Sequence, residues 1–173
     1  MRRAAREPGT LFVGMDADAS AMSEVSRRAA RAVGRGGVPN TVFLAAAVEE
    51  LPGPLAGSAR GITIALPWGS LLRAVLDPES AELAGIAATA RPCAEIVLLI
   101  SSTDRDAASQ GHTLDMTFAA ELAMRYAASG FRVEEWRAAT AADVTRLSSG
   151  WGRRLGIPER RQAWMYRLRV PRL

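Results

Sequence analysis

The chain has 173 residues, of which 49% are hydrophobic, and carries a formal net charge of +4. This length and composition predict one globular domain over residues 1–173, and no apolar run approaches the roughly 20 residues of a membrane-spanning helix, so a cytoplasmic protein without a membrane partner is expected. The single cysteine, Cys93, excludes an internal disulfide and a cysteine-cluster metal site, and no metal is expected.

Strands and helices are predicted to alternate along the chain. The predicted strands are residues 10–16, 41–47, 62–66, 94–101, 131–137 and 163–170. The predicted helices are residues 18–33, 71–76, 79–90, 113–129 and 141–148, with polar loops at 102–110 and 149–161. This alternation predicts an α/β fold with a mostly parallel sheet. The last strand follows a short connection and has an alternating pattern, which predicts an antiparallel strand at one edge.

The basic residues are all arginines and are distributed unevenly. Residues 1–124 contain 11 arginines and 14 acidic residues, whereas residues 125–173 contain 11 arginines and 4 acidic residues. A GC-rich genome would explain the lack of lysine but not this asymmetry. The basic final third therefore favours an anionic polymer, such as a nucleic acid, as a partner.

Two predicted strands end in residues suited to ligand binding, and open α/β sheets bind ligands outside the carboxyl ends of their strands. Asp16 ends the first strand. Its carboxylate suits a ribose diol, but an N-cap role for Asp16 or Asp18 is equally open. After the second strand, Ala47 and Val48 leave room for a flat ring. Glu49 suits an exocyclic amine, although a first-turn carboxylate at a helix start is the favoured interpretation.

The third strand ends in Leu-Pro-Trp-Gly-Ser, residues 66–70, which places a large aromatic group where water and ligand arrive. Trp68 and Trp151 lie beside glycines in predicted turns, so core packing is less expected for them than for Trp136 and Trp164, which lie on predicted strands. An exposed tryptophan at a strand end indicates that a flat molecule stacks there.

Four segments, residues 12–16, 43–52, 66–72 and 149–155, resemble the 16S ribosomal RNA adenine-1408 N1-methyltransferases. These are class I S-adenosylmethionine enzymes that confer kanamycin and apramycin resistance. The segments span nearly the whole chain in the family's order, and the two tryptophan motifs, Pro-Trp-Gly-Ser-Leu-Leu and Trp-Gly-Arg-Arg-Leu, are the most specific. The resemblance implies a Rossmann-like sheet, S-adenosylmethionine as cofactor, and a monomer that methylates a flipped adenine of 16S rRNA in the small ribosomal subunit.

The resemblance also implies roles for individual residues. Trp68 and Trp151 would hold the flipped adenine, while Ser149 would help to arrange the site. The implied cofactor-binding residues are Asp16, at the ribose, and Ala47, Val48, Glu49, Leu66 and Ser70. The implied rRNA contacts are Arg153, Arg154, Arg160 and Arg161. No general base is needed, because the N1 atom of neutral adenine already has a free lone pair; the site must chiefly align the reactants.

The family pattern begins with a strand and a glycine-rich turn that have no match upstream of residue 10. The resemblance therefore implies an N-terminally incomplete domain that lacks its first, central strand, with two unpaired sheet edges, marginal stability and weak cofactor binding. Two alternatives remain open. One is an RNA-binding protein without turnover. The other is a nicotinamide-dependent oxidoreductase that uses Asp16 at a ribose, which is disfavoured because no Gly-x-Gly-x-x-Gly turn or proton donor accompanies it.

Overall fold

The strands form two separate sheets, one in each of the two units into which the chain divides, Met1–Pro52 and Gly53–Leu173. The computed structural model describes residues 2–101, 113–147, 152, 154–159 and 161–171. Within these residues strands and helices alternate along the chain, which confirms the predicted α/β class. None of the described helices is long and apolar enough to cross a membrane.

The first unit is a strand–helix–strand arrangement. Its elements are α1 (Arg2–Arg6), β1 (Phe12–Asp16), α2 (Ala19–Ala29) and β2 (Thr41–Ala45), and β1 and β2 pair in parallel. Asp18 caps α2 by accepting hydrogen bonds from two backbone N–H groups of its first turn. The helix ends four residues earlier than predicted, and a 3-10 turn at Val33–Arg35 closes on Gly36 in the left-handed region. The helix thus ends before the first glycine of the glycine-rich stretch that follows it.

Within the part of the chain that the structure describes, the second unit is built from a four-stranded sheet and α-helices. The strands are β3 (Ala59–Ala65), β4 (Ala90–Ile100), β5 (Arg132–Ala138) and β6 (Trp164–Arg169), in the order β3-β4-β6-β5. The helices are α3 (Gly69–Leu76), α4 (Ala81–Thr89), α5 (Met116–Ala128) and α6 (Ala141–Leu147). β3 and β4 are parallel, whereas β6 runs antiparallel to both of its neighbours.

The predicted antiparallel strand exists, but its predicted edge position is wrong. β6 lies between β4 and β5 and pairs with both, so the edge strand on that side is β5. Its alternating pattern arises because one face of the sheet is partly open: Arg167 lies there half-buried near Glu95 and Glu135, while Tyr166 and Leu168 point into the core. Alternation reports the burial of a sheet's two faces and not the position of a strand within the sheet.

The core of the second unit lies on both faces of this sheet. On one face three buried aromatic residues place their polar ends on backbone carbonyls: Tyr126 donates to Val75 at 2.5 Å, Trp164 to Leu114 at 2.9 Å and Tyr166 to Ala119 at 2.9 Å. Burial without such partners would cost free energy, so these bonds fix how the aromatic side chains pack. Trp164 is core as predicted, and Trp136, which packs 6.0 Å from it between ring centroids, is half-buried.

Candidate functional site

In the first unit, the pairing of β1 with β2 brings two predicted cofactor segments to the same sheet edge. Asp16, the last residue of β1, lies opposite Ala45, the last residue of β2. The N–H of Ala46 donates to the carbonyl of Asp16 at 3.0 Å. Ala47 and the half-buried Val48 follow directly, so they lie at the carboxyl end of the strands together with Asp16.

The Asp16 side chain is exposed and is oriented by a local hydrogen bond. Its Oδ1 atom accepts from the N–H of Asp18 at 2.9 Å, whereas Asp18 itself is the N-cap of α2. The helix cap is thus Asp18, and Asp16 holds the turn before it. Asp16 therefore presents an exposed carboxylate, oriented through its Oδ1 atom, at the strand end.

Glu49 lies in a 3-10 turn, Val48–Glu50, that begins three residues after β2 ends. The carboxylate is exposed and stands in the first turn of this short element, a position where an acidic side chain stabilises the N-terminal N–H groups. Glu49 therefore lies where the favoured interpretation expects it, as a first-turn carboxylate at a helix start.

In the second unit, β3 is followed by a sharp turn that separates a buried leucine from an exposed tryptophan. Leu66 has a φ of 54° and Gly69 a φ of 60°, so two residues in the left-handed region bracket Pro67 and Trp68. The N–H of Leu66 donates to the carbonyl of Leu99 at 2.7 Å, which fastens the start of the turn to β4. A non-glycine residue in this region is strained by about 1–3 kcal/mol, and such strain concentrates at functional sites.

The turn leaves Trp68 projecting from the protein. Its side chain is 74% exposed, whereas that of Leu66 is 6% exposed and belongs to a buried cluster with Val97, Leu99 and Met165. The prediction that Trp68 is not a core residue is confirmed. Leu66 points into the core, so any contact it makes at the site is made by its main chain.

Ser70 and Trp68 flank the start of α3. Trp68 is the N-cap residue and Ser70 lies half-buried in the first turn. α3 is firmly seated, because Leu72 and Val75 are 1% and 0% exposed. A helix packed into the core therefore supports the exposed indole.

The C-terminal basic segment is attached to the cluster that holds Leu66. Ile157 and Ala163 are members of that cluster and Leu155 packs against it. Arg154, which is exposed, and Arg161, which is half-buried, are close in sequence to these anchors. The other predicted residues of this region, Ser149, Trp151, Arg153 and Arg160, lie outside the described residues.

A buried carboxylate that the sequence analysis missed lies at the carboxyl end of β5. The side chain of Asp143 in α6 is 5% exposed and forms an ion pair with Arg137 of β5, at 2.6 Å between Oδ2 and Nη1. The adjacent guanidinium, together with hydrogen bonds from Thr140, holds the pKa of Asp143 well below its ordinary range. The same contact raises the pKa of Arg137, so both groups stay charged. The Thr-x-x-Asp spacing of a helix-capping box was the available signal.

Among the described residues, no group of three or more histidine, cysteine, aspartate or glutamate side chains is placed to hold a metal ion.

Comparisons of the whole chain with known proteins point to one family. The sequence profile of the 16S rRNA (adenine(1408)-N(1))-methyltransferases matches residues 1–170. An enzyme of that name from Streptoalloteichus tenebrarius is 37% identical over 157 residues, which are 88% of this chain and 72% of the relative. The crystal structure of the 16S rRNA methyltransferase KamB superposes with a TM-score of 0.84 at 32% identity, covering 99% of this chain and 81% of KamB.

A second solved structure carries the cofactor. It is a tryptophan-to-alanine mutant of the 16S rRNA (adenine(1408)-N(1))-methyltransferase from Catenulisporales acidiphilia with cosubstrate SAM. It matches with a TM-score of 0.83 at 30% identity, covering 99% of this chain and 80% of that one. These neighbours are class I methyltransferases, and the chain shares their α/β fold. The chain belongs to the 16S rRNA (adenine(1408)-N(1))-methyltransferase family.

Proposed function

We propose that this chain transfers a methyl group from S-adenosylmethionine to N1 of adenine 1408 in 16S rRNA, and that the modification gives aminoglycoside resistance. The observation that carries the proposal is Trp68, a large apolar side chain that is 74% exposed at a strand end supported by a buried helix. An exposed indole forgoes the hydrophobic free energy that its burial would contribute. A ligand that stacks on the indole is a reason to place it there.

The residues of the first unit fit a nucleoside cofactor. Asp16 presents a carboxylate that the Asp18 N–H orients at 2.9 Å, and a fixed acceptor of this kind suits the two hydroxyls of a ribose. Ala47 and Val48 offer small, half-buried groups beside it, which suit a flat adenine ring. Glu49 would lie near the rim of the ring. S-adenosylmethionine, when bound, supplies a methyl group already activated by its sulfonium charge.

In the second unit we assign Ser70 and the main chain of Leu66 to cofactor binding, and Trp68 with Trp151 to the target adenine. A flipped base stacked between two indoles is held by roughly 1–3 kcal/mol per base, and fixing N1 at near-attack distance is the main requirement of the reaction. The methylated ring becomes cationic, and the faces of indoles also favour a cation. Ser149 would help to arrange this site.

The basic C-terminal segment is assigned to the rRNA backbone. Arg154 and Arg161, together with Arg153 and Arg160, would contact phosphates, which gives affinity without reading sequence. The proposed partner is 16S rRNA within the assembled small ribosomal subunit, and the proposed form is a cytoplasmic monomer.

The direct test is methylation of purified small ribosomal subunits by this 173-residue chain with radiolabelled S-adenosylmethionine, followed by reverse transcription across position 1408. Methylation at N1 blocks the Watson–Crick edge, so transcription should stop one nucleotide before the modified adenine. Calorimetric titration with S-adenosylhomocysteine measures cofactor binding separately, and free 16S rRNA serves as the substrate control.

The possible outcomes distinguish the proposal from its alternatives. Label in the subunit and a stop at 1408 support the proposal. Salt-dependent binding of subunits without any label would instead favour an RNA-binding protein without turnover. Label with a stop elsewhere would mean that the chain methylates a different nucleotide.

A further inference from the structure

We propose that Arg137 and Asp143 are a positioning pair for methyl transfer: they fix the start of α6 against the end of β5, and so set how α6 packs on the buried cluster that anchors the Trp68 turn. This inference rests on the function proposed above. It assigns to the two residues no contact with the cofactor or the adenine.

The contacts of Asp143 tie three parts of the chain to one carboxylate. Its Oδ2 atom accepts from Arg137 Nη1 of β5 at 2.6 Å, and from the N–H and hydroxyl of Thr140 at 2.9 and 2.8 Å. Its Oδ1 atom accepts from Arg137 Nη2 at 3.1 Å and from Arg146 of α6 at 3.2 Å. The strand, the connecting residue and the helix are therefore held at one point.

The bonds to Arg137 are not needed to start the helix. Thr140 and Asp143 already form a reciprocal capping box, since the N–H of Asp143 donates to the Thr140 hydroxyl at 3.3 Å while the Asp143 carboxylate accepts from the Thr140 N–H. Arg137 on the sheet adds a bidentate bond to the two carboxylate oxygens of Asp143. In this pair only the carboxylate is buried, and its desolvation offsets part of the attraction; what a bidentate guanidinium–carboxylate pair supplies is a defined geometry.

Arg137 is itself held on the sheet by a row of alternating charges. Its Nε donates to Oε1 of Glu135 at 2.7 Å, and Oε2 of Glu135 lies 3.8 Å from Nε of Arg167 on β6. The Arg167 Nε lies 3.4 Å from Glu95 on β4. The row crosses three strands, and it fixes the position from which the Arg137 guanidinium binds Asp143.

The inner side of α6 packs on the cluster beneath the Trp68 turn. Val144 is 1% exposed and belongs to the cluster that contains Leu66, and Leu147 packs against it. The position of α6 thus bears on the cluster that anchors the turn carrying Trp68. A misplacement of about 1 Å can lower a reaction rate 100-fold.

The test is Arg137→Lys, which keeps the charge and the capping box but loses the planar fork. The matched control is Arg132→Lys on the same strand, because the Arg132 side chain is 72% exposed and pairs with Glu134. For each variant we would measure kcat and KM with small ribosomal subunits, the Kd for S-adenosylhomocysteine, and the melting temperature.

We expect Arg137→Lys to lower kcat about tenfold or more while the KM for subunits and the Kd change by less than about twofold. Arg137→Gln, which loses the charge as well, should fall below Arg137→Lys, and Arg132→Lys should match the wild type. A kcat within twofold of the wild type for Arg137→Lys overturns the inference. A loss of activity that is fully explained by a smaller folded fraction of the variant overturns it as well. The wild-type rate in the same assay separates the two proposals: if the wild type transfers no methyl group, the proposed function fails and this role fails with it.

Discussion

Leu66 and Trp68 are separated by one residue but occupy opposite environments. The Leu66 side chain is 6% exposed in the core of the second unit, and the Trp68 side chain is 74% exposed. The left-handed backbone at Leu66, followed by Pro67, directs the first side chain inward and the second outward. The fold therefore uses a leucine to anchor the turn that displays the tryptophan, and the two residues should respond differently to substitution.

Trp68→Ala should separate activity from stability. Since the indole is mostly exposed, its removal should change the free energy of unfolding by no more than about 0.5 kcal/mol. Loss of one stacking face should lower kcat/KM for subunits by roughly 5- to 150-fold, which corresponds to about 1–3 kcal/mol. S-adenosylhomocysteine affinity, measured by calorimetry, should not change.

The control for Trp68→Ala is Met124→Ala on α5, which removes another large apolar side chain that is 67% exposed. Met124→Ala should leave both the rate and the melting temperature unchanged. Wild-type methylation by Trp68→Ala would show that the stacking role is wrong.

Gly69→Ala should strain the same turn from its other end. Gly69 has a φ of 60°, and among the described residues other than its two chain neighbours no atom lies within 4 Å of where a Cβ would be, so the expected cost is conformational and not steric. We expect a loss of about 1 kcal/mol in the free energy of unfolding, together with a lower methylation rate, because Trp68 directly precedes this residue. The measurement is urea denaturation alongside the methylation assay.

Gly9→Ala is the matched control for that strain, since Gly9 also has open space around its Cβ position but does not have a positive φ. If both variants are equally stable, the left-handed conformation at Gly69 does not constrain the turn.

Asp16 variants should weaken cofactor binding in two steps. Asp16→Asn keeps an oxygen that can accept from the Asp18 N–H but loses the charge, whereas Asp16→Ala loses both. Because hydrogen bonds to a charged group contribute about 1.5–3 kcal/mol, Asp16→Ala should weaken S-adenosylhomocysteine binding roughly 10- to 150-fold, with Asp16→Asn between it and the wild type. Asp18→Asn should bind normally, because asparagine caps a helix as well as aspartate does. Equal affinity for all four proteins would leave Asp16 with a turn-forming role alone.

The sequence predicted the features that depend on local pattern. The strand ending at Asp16, the exposed Trp68 in its turn, and the α/β class all follow from apolar runs, glycine, proline and alternation. The position of β6 could not be predicted in this way, because its alternating pattern reflects the burial of two faces and would be the same at an edge or inside the sheet. The pairing of Arg137 with Asp143 was also missed, because the Thr140 capping box indicates only the start of α6, whereas the bond from Arg137 depends on how the chain turns from the end of β5 into α6.

Asp143→Asn should change how stability depends on pH. The folded-state pKa of Asp143 is depressed by Arg137, so its contribution is fully present above the unfolded pKa, near 3.9, and decreases as the pH falls below that value. The difference in free energy of unfolding between the wild type and Asp143→Asn should therefore be largest at neutral pH and shrink progressively below about pH 4. Urea denaturation from pH 7 to pH 2.5 measures this difference. A difference that stays constant or grows towards acid would contradict the ion pair.

Arg154→Ala should weaken binding to small ribosomal subunits through charge alone. Arg154 is exposed on the segment that Leu155 and Ile157 anchor to the core. Removing one phosphate contact should reduce the slope of log K against log salt by about 1, with no change in S-adenosylhomocysteine affinity. The control is Arg91→Ala, which removes an exposed charge from the start of β4, the opposite end of the same sheet from the candidate site. Binding would be measured from 50 to 300 mM salt. Equal slopes for the two variants would mean that the basic segment acts through net charge and not through a phosphate contact at Arg154.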